Sequence, residues 1–490
     1  MLKKYYPFLI IFSVVFLLYH PVLTTFFSHD DFFHFKVSAT NGSFTEFINL
    51  LGFHPFAARK IAFYRPIFRD LLYNSFYGLF GLNHLPFRTL SFIIHFINIY
   101  LVSHLMQKFF KNKYLSFIAA FFYGVTASNV STLYYLAGGI QVLGVTMFIL
   151  LTLIFFNDYL ETKKVSLLKK TFITFLLALA SHEQAASLPI LMSGLILVKC
   201  DLKKSITKII KLWPFFAVLA IYLYLNITII GYSSGEAQYQ TQFNLKKNFN
   251  SLAWYSGWAF GLPEMLIDFV PPGLKLDPRL MRYWGNYFNI IFPTFAISAI
   301  ITISGSLLLV IKKKKIMLDK RIWFLVSWYL LALAPVLFLP SHKSGHYLTP
   351  ALPAFWGIIA YVITKSFSEM KKILPKYTKV IFGILLISLV TLSSTSAVLG
   401  KTTYWAAARG KLAEKLINDL TIKYPSLPKG SIVYFQNDPN YPFVSESWGG
   451  TSKQAYFALN GEDALQLYFN DPTLKVLYED LEAIPSDIPS

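Results

Sequence analysis

Long apolar runs alternate with short polar connections along most of the chain. Runs of ~17–25 residues are the length that crosses a bilayer as a helix. Eleven are read, at about 7–27, 85–107, 114–134, 137–156, 168–182, 184–199, 211–231, 287–311, 321–340, 346–364 and 377–399. The fifth is short and ends on Ser181-His182-Glu183, so it is expected to stop inside the protein. The first follows Lys3 and Lys4 and has the shape of a signal peptide. No small-residue cleavage pattern follows it, so it reads as an uncleaved anchor.

The pattern changes after residue 399. Trp405, Ala408, Leu412, Leu416 and Leu420 recur at helical spacing and give one apolar face. Ser431–Phe435 and Leu474–Tyr478 read as short strands, with Pro and Gly between them. The expected fold is an all-α polytopic membrane protein of about 11 transmembrane helices over residues 1–399. Outer loops are expected at 28–84 and 232–286, and a small extracytoplasmic α/β tail domain at 400–490.

Composition excludes the soluble alternative. A chain of 490 residues would ordinarily divide into soluble domains of ~150 residues. Here 55% of residues are hydrophobic and 14% charged, against ~25% charged in globular chains. Forty-seven Phe and thirty Tyr would overfill a soluble core. The single cysteine, Cys200, excludes an intramolecular disulfide.

The net charge of +20 suggests nucleic acid until its location is read. Basic residues cluster on alternate connections: Lys108/Lys111/Lys113, Lys163/Lys164/Lys169/Lys170, Lys199 to Lys211, Lys312 to Arg321, and Lys365 to Lys379. All fall on the side of Lys3, which the distribution of Lys and Arg marks as cytoplasmic. That side holds 25 Lys and Arg against five acids. The other twenty bases are matched by twenty acids. The excess therefore reports topology, with the N-terminus cytoplasmic, the C-terminus extracytoplasmic and no nucleic-acid partner. The bulk outside the bilayer lies on the far face, where the function is expected.

Candidate chemistry gathers on that face. Ser28-His29-Asp30-Asp31-Phe32-Phe33-His34 puts two carboxylates where the first helix meets the outer interface. Desolvation there would raise a carboxylate's pKa and make it a better base. The competing reading makes Asp30 a helix cap and Asp31 its solvated neighbour. His29 and His34 also make a divalent cation conceivable, with an incomplete ligand set. Arg65 and Arg69 are four apart and would share a helix face, suited to phosphate by their planar donors. Headgroup snorkelling or an Arg69–Asp70 pairing competes. His84, Arg88, Ser91, His95 and Asn98 form a polar stripe on the second helix. His95 and Asn98 read as interhelical glue, whereas His84 and Arg88 are candidates to line a cavity. Glu183 needs a partner, either His182 or an Arg from the outer loop. Ser341-His342-Lys343-Ser344-Gly345-His346-Tyr347 reads either as a phosphate grip or as a tight polar turn. Nucleotide and zinc motifs are absent. Gly400-Lys401-Thr402 mimics only the end of a phosphate loop, because Thr395 stands where the first Gly belongs.

In order and placement these motifs resemble the GT-C superfamily of polyprenyl-phosphate-sugar-dependent glycosyltransferases, most of all its protein O-mannosyltransferase branch. The points of likeness are Asp30-Asp31 opening the first outer loop, Tyr64-Arg65-Pro66 before the second helix, and His95 and Asn98 within it. His182-Glu183 with Pro189, and the turn Lys343 to Tyr347, complete them. The likeness covers roughly residues 1–365. His182 stands where a Lys is common, and the tail is not the tetratricopeptide array some members carry. The resemblance implies transfer of a mannose-like sugar from a lipid-phosphate donor to an acceptor hydroxyl of a protein, lipid or glycan. It implies Asp30 or Asp31 as the base. Arg65, Arg69, Lys343 and His346 would hold the donor phosphate, with no soluble nucleotide cofactor. A flippase for a lipid-linked saccharide and a non-catalytic scaffold are the alternatives. The flippase predicts midplane charges and inverted repeats, neither of which is seen.

Overall fold

The computed structural model describes residues 2–231, 239–271, 275–312, 319–440 and 449–482. Lys313 to Lys315 of the basic run, and parts of the second outer loop and of the tail, lie outside the described residues. The chain is an all-helical membrane protein with little strand. Among the described residues, seven helical segments are long and apolar enough to span: Pro7–Thr24, His84–Phe110, Leu136–Thr162, Trp213–Ile230, Pro278–Ile311, Lys320–Leu337 and Pro375–Lys423. Each coincides with an expected run. The other four expected runs form shorter helices, Lys113–Val125, Val165–Leu179 and Leu188–Lys199, and the polar-ended Leu352–Ile373.

Local sequence sets where these helices begin and turn. The Asn83 side chain accepts from the Leu85 amide at 3.0 Å and starts His84–Phe110. Lys111 adopts a left-handed conformation that ends it. Asn112 then caps the next helix, accepting from the amides of Tyr114 and Leu115 at 3.0 and 3.2 Å. Two residues thus close a helical hairpin. Close packing within the bundle relies on small residues. A Cβ on Gly139 would sit 1.7 Å from the Thr132 carbonyl oxygen, and one on Gly144 would sit 1.9 Å from the Phe68 ring.

The helices differ in what they face. Only 17% of the Trp213–Ile230 window and 22% of Pro278–Ile311 are buried, against 78% of Leu136–Thr162. The first two present Ile221, Tyr224, Ile300 and Ile311 outward, as lipid contact requires. Leu136–Thr162 is the central post. Its basic end is tied to its neighbours by Lys108–Asp158 at 2.7 Å and by Lys199–Glu161. Arg321 Nη1 donates to the Phe109 carbonyl at 3.2 Å, and Lys320 Nζ to that of Leu197 at 3.1 Å. The basic connections therefore meet at one end of the bundle, opposite the motifs singled out for chemistry.

Strands β1 (Ile432–Phe435) and β2 (Lys475–Tyr478) pair in parallel, Ile432 with Lys475 through Phe435 with Tyr478. Parallel pairing needs a crossover, here supplied by the helices Thr451–Leu459 and Asp463–Tyr468. This unit docks on the first outer segment. The His29 amide donates to the Ala458 carbonyl at 3.0 Å, and Lys36 Nζ reaches Asp463 and Gln466 at 2.7 Å each.

The polar stripe of the second helix is buried, and Arg88 is 0% exposed. Its guanidinium donates 3.0 Å bonds to four backbone carbonyls: Nε to Thr25, Nη2 to Phe26, and Nη1 to both Leu133 and Tyr134. It does not line a cavity, as its position suggested, but joins the end of the first span to the turn before the central post. Further in, Asn98 Nδ2 donates to the Leu143 carbonyl at 2.9 Å and His95 Nε2 lies 3.3 Å from that of Gly124, both as interhelical glue. Arg88→Met keeps the volume and leaves buried acceptors unpaired. It is expected to destabilise the protein by about 3 kcal/mol, read as a lowered Tm in detergent, while His84→Ala, a half-buried side chain, changes Tm little.

Candidate functional site

At the end of the bundle away from the basic connections, a cavity of about 860 Å³ opens between residues 29–69, 239–268 and 342–347 and the tail. Its wall gathers residues from across the sequence: His29, Asp30 and His34; Arg65 and Arg69; Tyr135 and Gln141; Glu264 and Asp268; Lys343 and His346; Trp405 and Arg409. The predicted Asp30, Arg65, Arg69, Lys343 and His346 are thus brought to one place from three distant segments. His84, Arg88, His95, His182, Glu183 and Asp31 are not on that wall and lie behind or away from it.

The adjacent carboxylates part ways. Helix Asp30–Val37 starts after His29, whose φ of 47° sits in the left-handed region. That turn drives Asp31 inward. Asp31 is 0% exposed and accepts from the Ser28 amide at 2.9 Å and the Tyr73 hydroxyl at 2.8 Å. Burial pushes its pKa up to about 6. Asp31 is therefore the buried carboxylate and Asp30 the presented one, and neither caps the helix, unlike the competing sequence reading. The Asp30 side chain is 36% exposed, accepts a short bond from the Tyr135 hydroxyl and lies 3.5 Å from His29 Nε2. Tyr135 in turn packs against His346 and Trp405, with centroids at 5.3 and 5.0 Å.

Arg65 and Arg69 are both committed to carboxylates. Arg65 binds Glu183 through Nε at 2.8 Å and Nη2 at 2.6 Å, and its Nη1 donates to Gln141 at 2.8 Å. The outer-loop partner expected for Glu183 is thus Arg65. Arg69 chelates Asp70 Oδ2 at 3.2 and 2.8 Å, and Arg59 reaches the other oxygen at 2.7 Å. The Arg69–Asp70 pairing holds, but it is buried rather than on the surface. Behind Glu183, His182 is buried and its Nδ1 accepts from the Gln184 amide at 3.3 Å. Gln184 then donates to the carbonyls of Ala332 and Tyr347 at 2.8 and 2.9 Å, tying this turn to the Lys343–Tyr347 segment.

In that segment Lys343 Nζ contacts the Pro340 carbonyl, and His346 Nδ1 lies 2.9 Å from the Ser344 hydroxyl. Its partner across the cavity is Glu264, which sequence reasoning missed. Glu264 accepts from Ser344 Oγ at 3.2 Å and from the Gly345 amide at 3.0 Å. Burial raises its pKa to about 7. Tyr135 and Arg409 were missed as well. Arg409 lies four residues after Trp405 on helix Trp405–Lys423, and an Arg one turn from an aromatic was the signal available.

His34 faces the cavity with Nδ1 buried and without a hydrogen-bond partner. Burial, with Arg69 nearby, lowers its pKa to about 3. It is a neutral imidazole and adds no cation. Asp31 is consumed by Ser28 and Tyr73, so His29, Asp30, Asp31 and His34 do not form the ligand cluster considered for a divalent cation. Among the described residues no group of three or more His, Cys, Asp or Glu is arranged to hold a metal ion.

Fold and site together define the class: an all-helical membrane protein with a mixed-charge cavity at one end of its bundle. No protein-family model matches the chain, and no curated protein is similar to it.

The pH behaviour of Glu264 is testable. Its folded-state pKa, about 7, stands above its ordinary 4.5, so proton uptake favours the fold. Its contribution is complete below about pH 4.5 and is lost as pH rises through about 7. Thermal unfolding in detergent should show Tm falling across that window, and Glu264→Gln, a permanently neutral acceptor for the Ser344–Gly345 turn, should flatten the slope there.

Proposed function

We propose that the protein is a GT-C-type membrane glycosyltransferase. It passes a sugar from a polyprenyl-phosphate donor to an acceptor hydroxyl at the outer membrane face. The observation that carries this reading is a carboxylate, Asp30, presented on a cavity wall beside Arg65, Arg69, Lys343, His346 and Arg409, with Glu264 and Asp268 on the same wall. The cavity's 860 Å³ suits a sugar and its phosphate. The eleven-crossing topology, the cytoplasmic N-terminus and a separate extracytoplasmic tail domain belong to the same proposal.

In the proposed reaction the acceptor oxygen attacks the anomeric carbon of the donor sugar. The new C–O bond forms as the bond from that carbon to the phosphate oxygen breaks. The bonding pair leaves on the phosphate, and the acceptor's proton passes to the Asp30 carboxylate. A base makes the oxygen nucleophilic, and cations beside the phosphate stabilise the charge that develops on it. Tyr135 orients the Asp30 carboxylate through its hydrogen bond. The Arg65–Glu183 and Arg69–Asp70 pairs shape the wall more than they supply net charge. A donor bound against the aromatic and apolar side chains around Asp30 would displace the water that would otherwise hydrolyse it.

Asp30→Asn keeps the shape of the side chain and removes the base. In proteoliposomes supplied with a panel of radiolabelled polyprenyl-phosphate sugars and membrane-fraction acceptors, it should reduce transfer by about a hundredfold or more. Membrane insertion and Tm should stay at wild-type values. Undiminished transfer by this variant would remove Asp30 as the base and the reading built on it.

A further inference from the structure

The cations of the cavity are not equivalent. Arg65 and Arg69 each grip a carboxylate at hydrogen-bonding distance. Lys343 turns its ammonium to the Pro340 carbonyl. Arg409 is held differently. Its guanidinium carbon lies 4.8 Å from the centroid of Trp405 and 4.8 Å from that of Phe457. The two rings come from different elements of the tail, helix Trp405–Lys423 and helix Thr451–Leu459. Among the described residues no carboxylate lies within ion-pair distance of Arg409 and no hydrogen bond engages its N–H groups. Aromatic faces hold a guanidinium by its flat sides and leave its N–H edge open. The charge that Arg409 senses is Asp30 on the same wall, and its open N–H edge is free to donate to an anionic ligand that enters the cavity.

The position of Arg409 says which anion. The same wall carries His29, Asp30 and, through Trp405, Tyr135. Trp405 also packs edge-on to His29, with centroids 6.4 Å apart. Helix Trp405–Lys423 starts at the cavity with no side-chain cap, so its positive end adds to the charge of Arg409. A ligand whose reacting carbon faces Asp30 would bring its phosphate into reach of this edge. We infer that Arg409, presented by the Trp405–Phe457 clamp of the tail, is a contact for the phosphate group of the bound prenyl-phosphate ligand. The tail is then a wall of the site rather than an appendage to it. Its docking through Lys36, Asp463 and Gln466 carries Arg409 into place. The inference rests on the proposed function for the identity of the lipid, though not for the presence of an anion site.

The test is binding rather than turnover. Full-length protein in detergent is titrated with a long-chain polyprenyl phosphate, the matching polyprenol, inorganic phosphate and phosphatidylglycerol, with native mass spectrometry as the readout. Wild type should favour the polyprenyl phosphate over the polyprenol and over phosphatidylglycerol. Arg409→Ala should weaken polyprenyl phosphate binding by about tenfold or more, the size of a charge-assisted hydrogen bond, and leave polyprenol binding unchanged. Arg409→Lys keeps the charge and the aromatic clamp but loses the planar fork, and should fall between. It also serves if the alanine variant does not fold. Asp30→Asn should bind at least as tightly as wild type, so lost transfer with retained binding separates the base from the phosphate contact. Wild-type polyprenyl phosphate affinity in folded Arg409→Ala or Arg409→Lys overturns the inference and leaves the role of Asp30 standing. So does an equal loss for phosphatidylglycerol, which would mark a general headgroup site. Transfer retained by Asp30→Asn alongside weakened binding in Arg409→Ala would instead overturn the proposed reaction and leave the anion site.

Discussion

Arg88 joins the end of the first span to the turn that enters the central post. Its guanidinium donates to the carbonyls of Thr25 and Phe26 on one side and of Leu133 and Tyr134 on the other. Those carbonyls fall where helical backbone stops, so they have no intrahelical donor of their own. An arginine without solvent exposure supplies the donors at four points at once. The consequence lies one step along the chain in each direction. Asp30 begins the helix a few residues after Phe26, and Tyr135 follows Tyr134 directly. The short bond between Asp30 and Tyr135 therefore has its spacing set from behind by Arg88. A buried cation in the polar stripe of a membrane helix is thus what places the presented carboxylate.

The remaining walls follow the same rule of charges tied to distant partners. The Arg65–Glu183 fork links the loop between the first two spans to the interrupted helix pair at residue 183. Gln184 extends that link to Tyr347, and Glu264 secures the Ser344–Gly345 turn from the opposite side. Lys36 holds the tail. Each bond joins segments that are far apart in sequence, and their intersection is the cavity. Pairs of this kind contribute modest net stability once desolvation is counted, but breaking one by removing a single partner is costly. That asymmetry makes them registry devices for loops that have no helix ladder to define their position.

The apolar helices were legible in the sequence because a span is a local property of composition and length. All seven spanning segments overlap expected runs, although Pro375–Lys423 continues past residue 399 into the expected tail. The two tail strands also fall within a residue of expectation. The motif segments at 28–34, 63–70 and 341–347 do meet, since chemistry-bearing residues at helix ends on one face have few other places to be. The division of labour within each motif was not legible. Asp30 and Asp31 are neighbours of identical type. Only the backbone turn at His29, with its φ of 47°, decides which faces Ser28 and Tyr73 and which faces the cavity. Arg65 and Arg69 looked available because Glu183, 118 residues away from Arg65, was not yet beside them. Glu264 sat in a loop without motif character, and its weight comes from a turn 80 residues later.

The cavity can also be described by which charges are left over. Around Asp30, the charges that shape the walls are mostly paired: Arg65 with Glu183, and Arg59 and Arg69 together with Asp70, which leaves one positive charge over. Asp30, held by a neutral tyrosine, and Arg409, held by neutral rings, share that wall with Asp268 and Lys343. Aromatic holders fix a charged group without neutralising it, whereas carboxylate holders fix an arginine at the cost of its net charge. The proposed reaction, with a phosphate-bearing donor and a hydroxyl to be deprotonated, would need charged groups in a well-defined place. Aromatic support from Tyr135, Trp405 and Phe457 supplies that combination. It also gives the 18% aromatic content a use beyond contact with lipid, because the same ring types that make the spans greasy also hold Asp30 and Arg409 at the cavity.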